Sequence, residues 1–297
     1  MDPDEVKEKL DVVVCRPALP LDTEDVLRFT RRIWNGDDYV PEAWQEWLSD
    51  SDGICAVAEY RGHAIGLVKL SCLAPGQWWI MGLRVDPEHQ QLGVASRLHH
   101  YILDQWEHTC GGVIRFSSRS TNLPIHHLAE HTGFRKILDL SNFIAKSELK
   151  PEKAFRPVPG EELAQACDFA CEADSNLLML GLIDLSWEWV AIDKTILRQA
   201  VSEKRLWWWR KKRGLIMTIE DDTDEIRCPL LQYAGCEMED LSDLLNDFRG
   251  LSGSLGYEKA RWVAPLIPQA IHPLERAGFN RNWEYSYFIY EKYGTKK

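Results

Sequence analysis

The 297-residue sequence has no long hydrophobic run. No stretch approaches the about 18 to 20 consecutive apolar residues that cross a bilayer. Its beginning, Met1 to Leu10, is rich in charged side chains and does not read as a secretory signal. These features predict a soluble, cytoplasmic protein that does not associate with membranes.

Basic residues are in deficit. The chain has 35 Lys and Arg against 46 Asp and Glu, a net charge of -11, which repels the phosphates of nucleic acids. The one dense basic run, Arg210 to Arg213, precedes Gly214 between two apolar stretches, a pattern typical of a hairpin turn. We therefore expect a small-molecule partner and no nucleic acid, with monomer and homodimer both open.

Paired cysteines and the common nucleotide-binding motifs are also missing. The eight cysteines form no CxxC pair and have no His or Cys partners at ligand spacing, so no metal site is predicted. Neither GxxxxGK[ST] nor GxGxxG occurs. The length and a hydrophobic content of 45% suffice for two domains with their own cores.

The most informative segment reads as a strand, a tight loop and a helix. Residues 81–85 alternate in hydrophobicity, Asp86-Pro87 marks a turn, and apolar residues return at helical spacing within 98–102. The small Gly93 in the loop Gln90 to Ala95 lets backbone N–H groups approach a ligand at a helix N-terminus, as a pyrophosphate site requires. An ordinary strand-to-helix turn is the alternative.

This loop resembles the acyl-CoA loop of the GCN5-related N-acetyltransferases, [QR]xxGx[GA], through Gln90, Gly93 and Ala95. Other elements of that family follow in the same order over about the first 145 residues. They are the hairpin strands 53–59 and 64–71, the central strand 78–85, the next strand 113–117, Asn122 and Gly133-Phe134. The resemblance implies an α/β fold with a mixed, mostly antiparallel sheet flanked by helices, and acetyl-CoA as cosubstrate.

The second half repeats this order of elements without the loop. Residues 125–134 and 271–279 have similar sequences. Where the second half should carry its counterpart of the loop at 90–95, it has the acidic segment Gly235 to Asp240. We predict two tandem domains, a catalytic one at 1–150 and a degenerate one at 161–297 that does not bind CoA, joined by a proline-containing linker at 151–160. This arrangement, with the phrase 36–41, resembles the histidine N-acetyltransferase-like branch of the superfamily.

The resemblance also implies where acetyl-CoA binds. The central strand would hold the thioester oxygen and align the pantetheine arm through its backbone, and the loop would hold the pyrophosphate. The implied cofactor-binding residues are Leu83, Arg84, Val85, Gln90, Gln91, Leu92, Gly93, Val94, Ala95, Ser96 and Asn122.

The proton-transfer groups depart from the family's pattern. A Tyr often lies seven residues after the Asn, where this chain has Ala129, and we nominate Tyr39 for proton transfer instead. Its neighbours Asp37 and Asp38 suit a cationic amine, although they also suit a helix cap. The candidate substrate-binding residues are Asp37, Asp38, Trp79, Ser117 and Ser118.

These features predict an acyl-CoA-dependent N-acetyltransferase that acts on a primary amine of a small metabolite, such as the α-amine of an amino acid. Two alternatives stay open. One is a non-catalytic acyl-CoA-binding or interaction module, and the other is a protein or peptide N-acetyltransferase.

Overall fold

The computed structural model describes residues 12–149, 154–222 and 226–294. Contacts divide the chain into two units. Unit 1 takes in the described residues up to Phe116, Pro124–Arg135, and those from Glu291 onward; unit 2 comprises Ser117–Leu123 and Lys136–Tyr290. Of the predicted linker 151–160, residues 151–153 lie outside the described ranges, and the division into domains at 1–150 and 161–297 stays a prediction.

Unit 1 contains a mixed sheet with the strand order β1-β2-β3-β4-β5. Its strands are β1 Val14–Pro17, β2 Ile54–Tyr60, β3 His63–Ala74, β4 Gln77–Val85 and β5 Val113–Arg119. All neighbours are antiparallel except β4 and β5, which run parallel. The predicted hairpin is confirmed, and its turn at Arg61-Gly62 has positive φ at both residues (51° and 82°), which matches the right-handed twist of the strands it joins.

The helices of unit 1 pack apolar faces on this sheet. They are α1 Thr23–Thr30, α2 Val40–Ser49, α3 Val94–Gln105 and α4 Leu123–His131. Phe29 of α1 and Trp44 of α2 are fully buried in one cluster with Leu67 of β3. Burial of each such side chain stabilises the fold by about 1.5–3 kcal/mol, so this core fixes the segment between α1 and α2.

Unit 2 contains a second mixed sheet region with the strand order β15-β6-β13-β12-β11-β10-β7. Its strands are β6 Arg135–Lys146, β7 Phe155–Pro157, β10 Leu206–Trp209, β11 Gly214–Asp221, β12 Cys228–Cys236, β13 Lys259–Pro265, β14 Asn280–Arg281 and β15 Tyr287–Tyr293, with the separate hairpin β8 Leu182–Asp184 and β9 Trp189–Ala191. Its helices are α5 Leu163–Glu172, α6 Lys194–Ser202, α7 Leu241–Ser254 and α8 Pro268–Arg276.

Unit 2 repeats the central elements of unit 1. A hairpin β11-β12 leads into α7 and then into β13, which pairs with β12 in parallel, as β3-β4 leads into α3 and β5. The basic run 210–213 lies between the antiparallel strands β10 and β11, as predicted. The predicted α/β fold, a mixed sheet flanked by helices, is confirmed.

No helix in the described part of the chain is both long and apolar enough to cross a membrane.

Candidate active site

The loop between β4 and α3 contains two residues in the left-handed backbone region. Gly93 has the left-handed φ of 79° at the N-cap of α3, and Gln91 has a φ of 63°. Two hydrogen bonds fix the start of this loop next to strand β4. The Asp86 carboxylate accepts the Glu88 N–H at 3.0 Å, and Gln90 Nε2 donates to the Val85 carbonyl at 3.3 Å. Turns with left-handed residues at the N-terminus of a helix are typical of anion-binding backbone nests, which is the role predicted for this loop.

Side chains in this loop are sorted by burial. Leu92 and Val94 are buried and anchor the loop in the core, whereas Gln90, Gln91 and Gly93 are exposed. Leu92 and Val94 can therefore contact a cofactor only through their backbone amides. No side-chain hydrogen bond caps the start of α3 in the described residues, and its first turn holds no acidic residue. The positive end of the helix dipole is thus left for a ligand.

The remaining loop residues are Ala95 and Ser96, both half-buried in the first turn of α3. The Ser96 hydroxyl lies 3.4 Å from His100 Nδ1, within the same helix.

Strand β4 carries a bulge just before the loop. One residue of β3, Val68, opposes two residues of β4, Gly82 and Leu83. Gly82 adopts a φ of 62°, and a Cβ at this position would lie 2.5 Å from Cη2 of Trp47, so the ring occupies the space of any larger residue. Bulges re-aim backbone groups and occur next to active sites.

The ladder between β4 and β5 is short. It pairs Gln77 with Val113 and ends at Trp79 and Arg115, although β4 continues to Val85. Beyond Trp79, β4 makes no further ladder pairs with β5 in the described residues. An unpaired strand edge can add an extended ligand as a further strand.

The side chains beside the bulge form one cluster. Arg84 donates to Asp38 through Nε at 2.9 Å and Nη2 at 3.1 Å, and both side chains are largely buried. The Arg84 guanidinium also lies 4.2 Å from the ring centre of Trp34 and 5.3 Å from that of Tyr39. The predicted substrate residue Asp38 and the predicted cofactor residue Arg84 therefore neutralise each other, and together they hold Tyr39 in place.

The Tyr39 hydroxyl lies at the bulge. It accepts hydrogen bonds from the Gly82 backbone and from the Arg84 side chain, and the Tyr39 ring contacts Trp47 edge-on at 6.0 Å. Burial raises the pKa of this hydroxyl, the Arg84 charge opposes the rise, and the Asp38 charge adds to it. The residue is 44% exposed, and the two hydrogen bonds hold its hydroxyl at the bulge. Tyr39 is thus protonated at neutral pH and can donate a proton.

The other predicted site residues do not contact the Arg84 cluster in any hydrogen bond or ion pair described above, and they differ in burial. Asp37 is exposed on the same loop as Asp38, whereas Trp79 is buried in β4. In unit 2, Ser117 is half-buried, Ser118 is buried, and Asn122 is exposed with its N–H donated to the Arg119 carbonyl at 2.9 Å.

Sequence reasoning did not assign Trp34 and Trp47 to the site. Trp34 and Asn35 both have positive φ (48° and 59°), which places the Trp34 ring against Arg84. Gly82 is a glycine inside an apolar strand, which is a sequence signal for a bulge. The sequence holds no signal that the Trp47 ring occupies the space beside Gly82.

The corresponding loop of unit 2 has opposite electrostatics. Between β12 and α7, Asp240 is the N-cap residue and Asp243 lies in the first turn. The carboxylate of Asp174 raises the pKa of Glu237, mainly through a hydrogen bond and charge repulsion. Arg213 pairs with Asp240 at 2.6 Å, which neutralises one of these charges. The absence of CoA binding in the second half stays a prediction, which this acidic helix start supports.

Comparison with known proteins gives three kinds of finding. The sequence profile of the Acetyltransferase (GNAT) family matches residues 22–134. The chain is similar to "Probable N-acetyltransferase 16" of Homo sapiens, with 33% identity over 33% of this chain and 26% of that protein. It is also similar to "Histidine N-acetyltransferase" of Xenopus tropicalis, with 27% identity over 47% of this chain and 46% of that protein. The chain thus covers less than half the length of these curated relatives.

Among solved structures, a GCN5-related N-acetyltransferase from Sphaerobacter thermophilus has a TM-score of 0.62 at 14% identity, covering 97% of this chain and 98% of that one. At this identity the likeness shows the fold, which extends over nearly the whole chain.

Proposed function

We propose that this protein, whose residues 22–134 match the profile of the acetyltransferase (GNAT) family, transfers an acetyl group from acetyl-CoA to the primary amine of a small metabolite. The observation that carries the proposal is the loop at 90–95, where Gly93 with its φ of 79° starts a helix that has no side-chain cap and no first-turn acid. Its amides and helix dipole suit the pyrophosphate of acetyl-CoA.

The bulge supplies the second part of the proposed reaction. The amine nitrogen attacks the thioester carbon, a C–N bond forms, and negative charge develops on the carbonyl oxygen. Backbone N–H groups at the bulge, between Gly82 and Val85, would stabilise this oxyanion because they are fixed before the reaction starts. The edge of β4 beyond Trp79 would align the pantetheine arm, and Asn122 would bind that arm as the family resemblance implies.

Three proton transfers accompany this reaction. The ammonium form of the acceptor loses one proton before attack, and the attacking nitrogen loses a second as the amide forms. The C–S bond breaks to release CoA thiolate, which gains one proton. Tyr39 is the proposed donor to the thiolate, since its raised pKa keeps it protonated and its hydroxyl contacts the Gly82 backbone. Water molecules would carry both nitrogen protons away, one to solvent and one to the Tyr39 oxygen, which restores the phenol and leaves a net release of one proton.

The acceptor is proposed to be an amino acid or a similar small amine. Two observations support this choice: a relative is named for histidine, and the exposed Asp37 offers a carboxylate to a cation. Asp38 is paired with Arg84, so we assign it to the positioning of Tyr39. Ser117 and Ser118 remain proposed substrate contacts. Trp79 is buried, so in this proposal it supports the site from within the sheet. The cytoplasmic location and the oligomeric state stay predictions.

A thiol-release assay tests the proposal. The full chain is incubated with acetyl-CoA and a panel of amino acids, polyamines and peptides, and free CoA is measured. Turnover with small amines is the expected result. Binding of acetyl-CoA without acetylation of any amine in the panel would identify a non-catalytic module, and turnover with peptides alone would identify a protein or peptide N-acetyltransferase.

A further inference from the structure

The segment between α1 and α2, residues 31–39, exposes one large ring that the proposed reaction has not used. Trp34 is 58% exposed, although its neighbours are anchored in unit 1: Ile33 packs on the apolar core, and Val40 is fully buried. Single exposed apolar residues are common on protein surfaces, so exposure alone assigns no role to Trp34. Three further features of this segment distinguish it.

The backbone that presents Trp34 is strained. Trp34, Asn35 and Gly36 have consecutive φ values of 48°, 59° and 93°, in a region that only glycine enters without steric cost. Two turn hydrogen bonds hold this conformation: Gly36 N donates to the Ile33 carbonyl at 2.9 Å, and Asp37 N donates to the Trp34 carbonyl at 3.2 Å. Strain of this kind persists where the surrounding structure enforces it, and it is concentrated at functional sites.

A largely buried ion pair fixes the Trp34 ring near the proposed proton donor. Cζ of Arg84 lies 4.2 Å from the ring centre of Trp34 and 5.3 Å from that of Tyr39, so one cation holds both rings. Asp38 pairs with this cation at 2.9 Å, which makes the pair neutral. The exposed part of the Trp34 ring is therefore held close to Tyr39 without a net charge beside it.

An ion pair also ties this segment to the chain that leads into the loop at 90–95. Arg32 pairs at 2.6 Å with Asp86, which is buried directly after β4. At the other end of the segment, the Tyr39 hydroxyl is bonded to the backbone of the bulge. Trp34 thus lies on a stretch of chain that is attached to both parts of the proposed acetyl-CoA site.

We propose that Trp34 determines which side chain the acetyl acceptor carries, with its exposed ring surface against an aromatic ring of the amine. The acceptor class is then a primary amine with an aromatic ring a few bonds from its nitrogen. A ring that the fold already holds loses little freedom on binding, and a planar partner adds stacking to apolar burial. The exposed carboxylate of Asp37, on the same segment, would attract the ammonium group. The inference rests on the proposed acetyl transfer and specifies its acceptor.

Amines that differ only in their side chain isolate the role of Trp34. Thiol release is measured with phenethylamine, 2-cyclohexylethylamine and propylamine, for wild type, Trp34→Ala and Trp34→Phe. In wild type we expect kcat/KM for phenethylamine to exceed that for propylamine by about 10-fold or more, with 2-cyclohexylethylamine between them, because stacking adds to apolar burial. Trp34→Ala should lower the value for phenethylamine by about 10-fold, whereas Trp34→Phe keeps a ring and should stay within about 3-fold of wild type. The values for propylamine and the KM for acetyl-CoA should not change in either variant.

Leu21→Ala is the matched control. Leu21 is 70% exposed in unit 1, so this variant also deletes an exposed apolar side chain, and it should behave as wild type. An equal fall for phenethylamine and propylamine in Trp34→Ala would show that Trp34 only positions Arg84 and Tyr39, and no fall for either amine would leave the ring without a role. Both results overturn the assignment. Where Trp34→Ala does not fold, Trp34→Leu replaces it and should abolish the preference for phenethylamine over 2-cyclohexylethylamine.

Binding measured without turnover separates this inference from the proposed reaction. The full chain is labelled with 5-fluorotryptophan, and of its 13 tryptophan signals in fluorine NMR the one lost in Trp34→Phe belongs to Trp34. Titration with phenethylamine in the presence of CoA should shift this signal, whereas propylamine should not.

The outcomes of this titration are distinct. If phenethylamine shifts the Trp34 signal but no amine is acetylated, the proposed reaction fails and the ligand site stands. If phenethylamine is acetylated without a shift of that signal, the proposed reaction stands and the ligand site fails. If it is neither acetylated nor shifts the signal, both fail.

Discussion

Replacement of Gly82 by alanine tests the bulge directly. The new methyl group would meet Trp47 Cη2 at 2.5 Å and Cζ3 at 2.6 Å, and the residue would keep a φ of 62°. Left-handed backbone costs an L-residue about 1–2 kcal/mol, and overpacking in a core costs a further about 1–3 kcal/mol. We therefore expect the free energy of unfolding to fall by about 2–5 kcal/mol in Gly82→Ala.

The activity of the same variant should fall more steeply than its stability. Relief of the clash displaces the backbone N–H groups that the proposed reaction aims at the oxyanion, and loss of one such donor costs about 100- to 1,000-fold in kcat. The KM for acetyl-CoA should change little, because the loop at 90–95 is untouched. Thiol release under saturating acetyl-CoA gives kcat, and denaturant unfolding gives the stability.

Gly62→Ala is the matched control. Gly62 has a φ of 82°, and a Cβ there would have nothing within 4 Å, so this variant carries the backbone strain without the clash. It should lose about 1–2 kcal/mol and keep its kcat. In a Trp47→Leu background the ring that meets the new methyl group is gone, so Gly82→Ala should lower the free energy of unfolding only by the backbone strain. Equal losses in Gly82→Ala and Gly62→Ala, with kcat unchanged in both, would refute the reasoning.

Three further predictions concern the loop at 90–95, the proposed proton donor Tyr39 and a buried histidine. Gly93→Leu should abolish acetyl-CoA binding by titration while leaving the circular dichroism spectrum intact, because a side chain would cover the amides; unchanged affinity would remove the loop from the site. Tyr39→Phe should lower kcat about 100-fold without a change in the KM for acetyl-CoA, and an unchanged kcat would assign the proton to water. Burial lowers the pKa of His99 to about 4, against about 6.5 in the unfolded chain. The unfolded state thus binds more protons between these values, and stability should fall by up to about 3 kcal/mol as the pH drops from 6.5 to 4. Denaturant midpoints at pH 7 and 4.5 measure this fall, His99→Leu should reduce it, and an undiminished fall in that variant would contradict the assignment.

Most of the fold could be predicted because its signals are local. The alternation in 81–85 and the helical spacing after the loop gave β4 and α3, and the basic run at 210–213 gave a hairpin turn, since each depends only on neighbouring residues. The hairpin β8-β9 was not predicted. Its turn has positive φ at Ser186 and Trp187, and neither serine nor tryptophan favours that conformation, so the sequence gives no sign of the turn.

The candidate site was predictable in part for the same reason. The loop residues form a consecutive string, so their chemistry can be read from the sequence. The partners of Tyr39 cannot, because Arg84 lies 45 positions further along the chain and reaches Asp38 only through the fold; the sequence suggested a carboxylate for a cationic substrate where the structure shows an internal ion pair. The pairing changes the proposed role of Asp38 from recognition to positioning.

The sequence by itself determined most of the strands and helices, the glycine-containing loop at 90–95 and the acidic character of its counterpart in unit 2. Hydrophobic periodicity and turn chemistry depend on residues a few positions apart, so the elements that they specify can be predicted from consecutive residues. Tertiary structure alone decided which distant side chains meet: Trp47 at Gly82, Arg84 between Asp38 and Trp34, and Arg119 on Tyr285. Such contacts follow from the packing of whole helices and strands within each unit, where burial and charge pairing must be satisfied together rather than residue by residue.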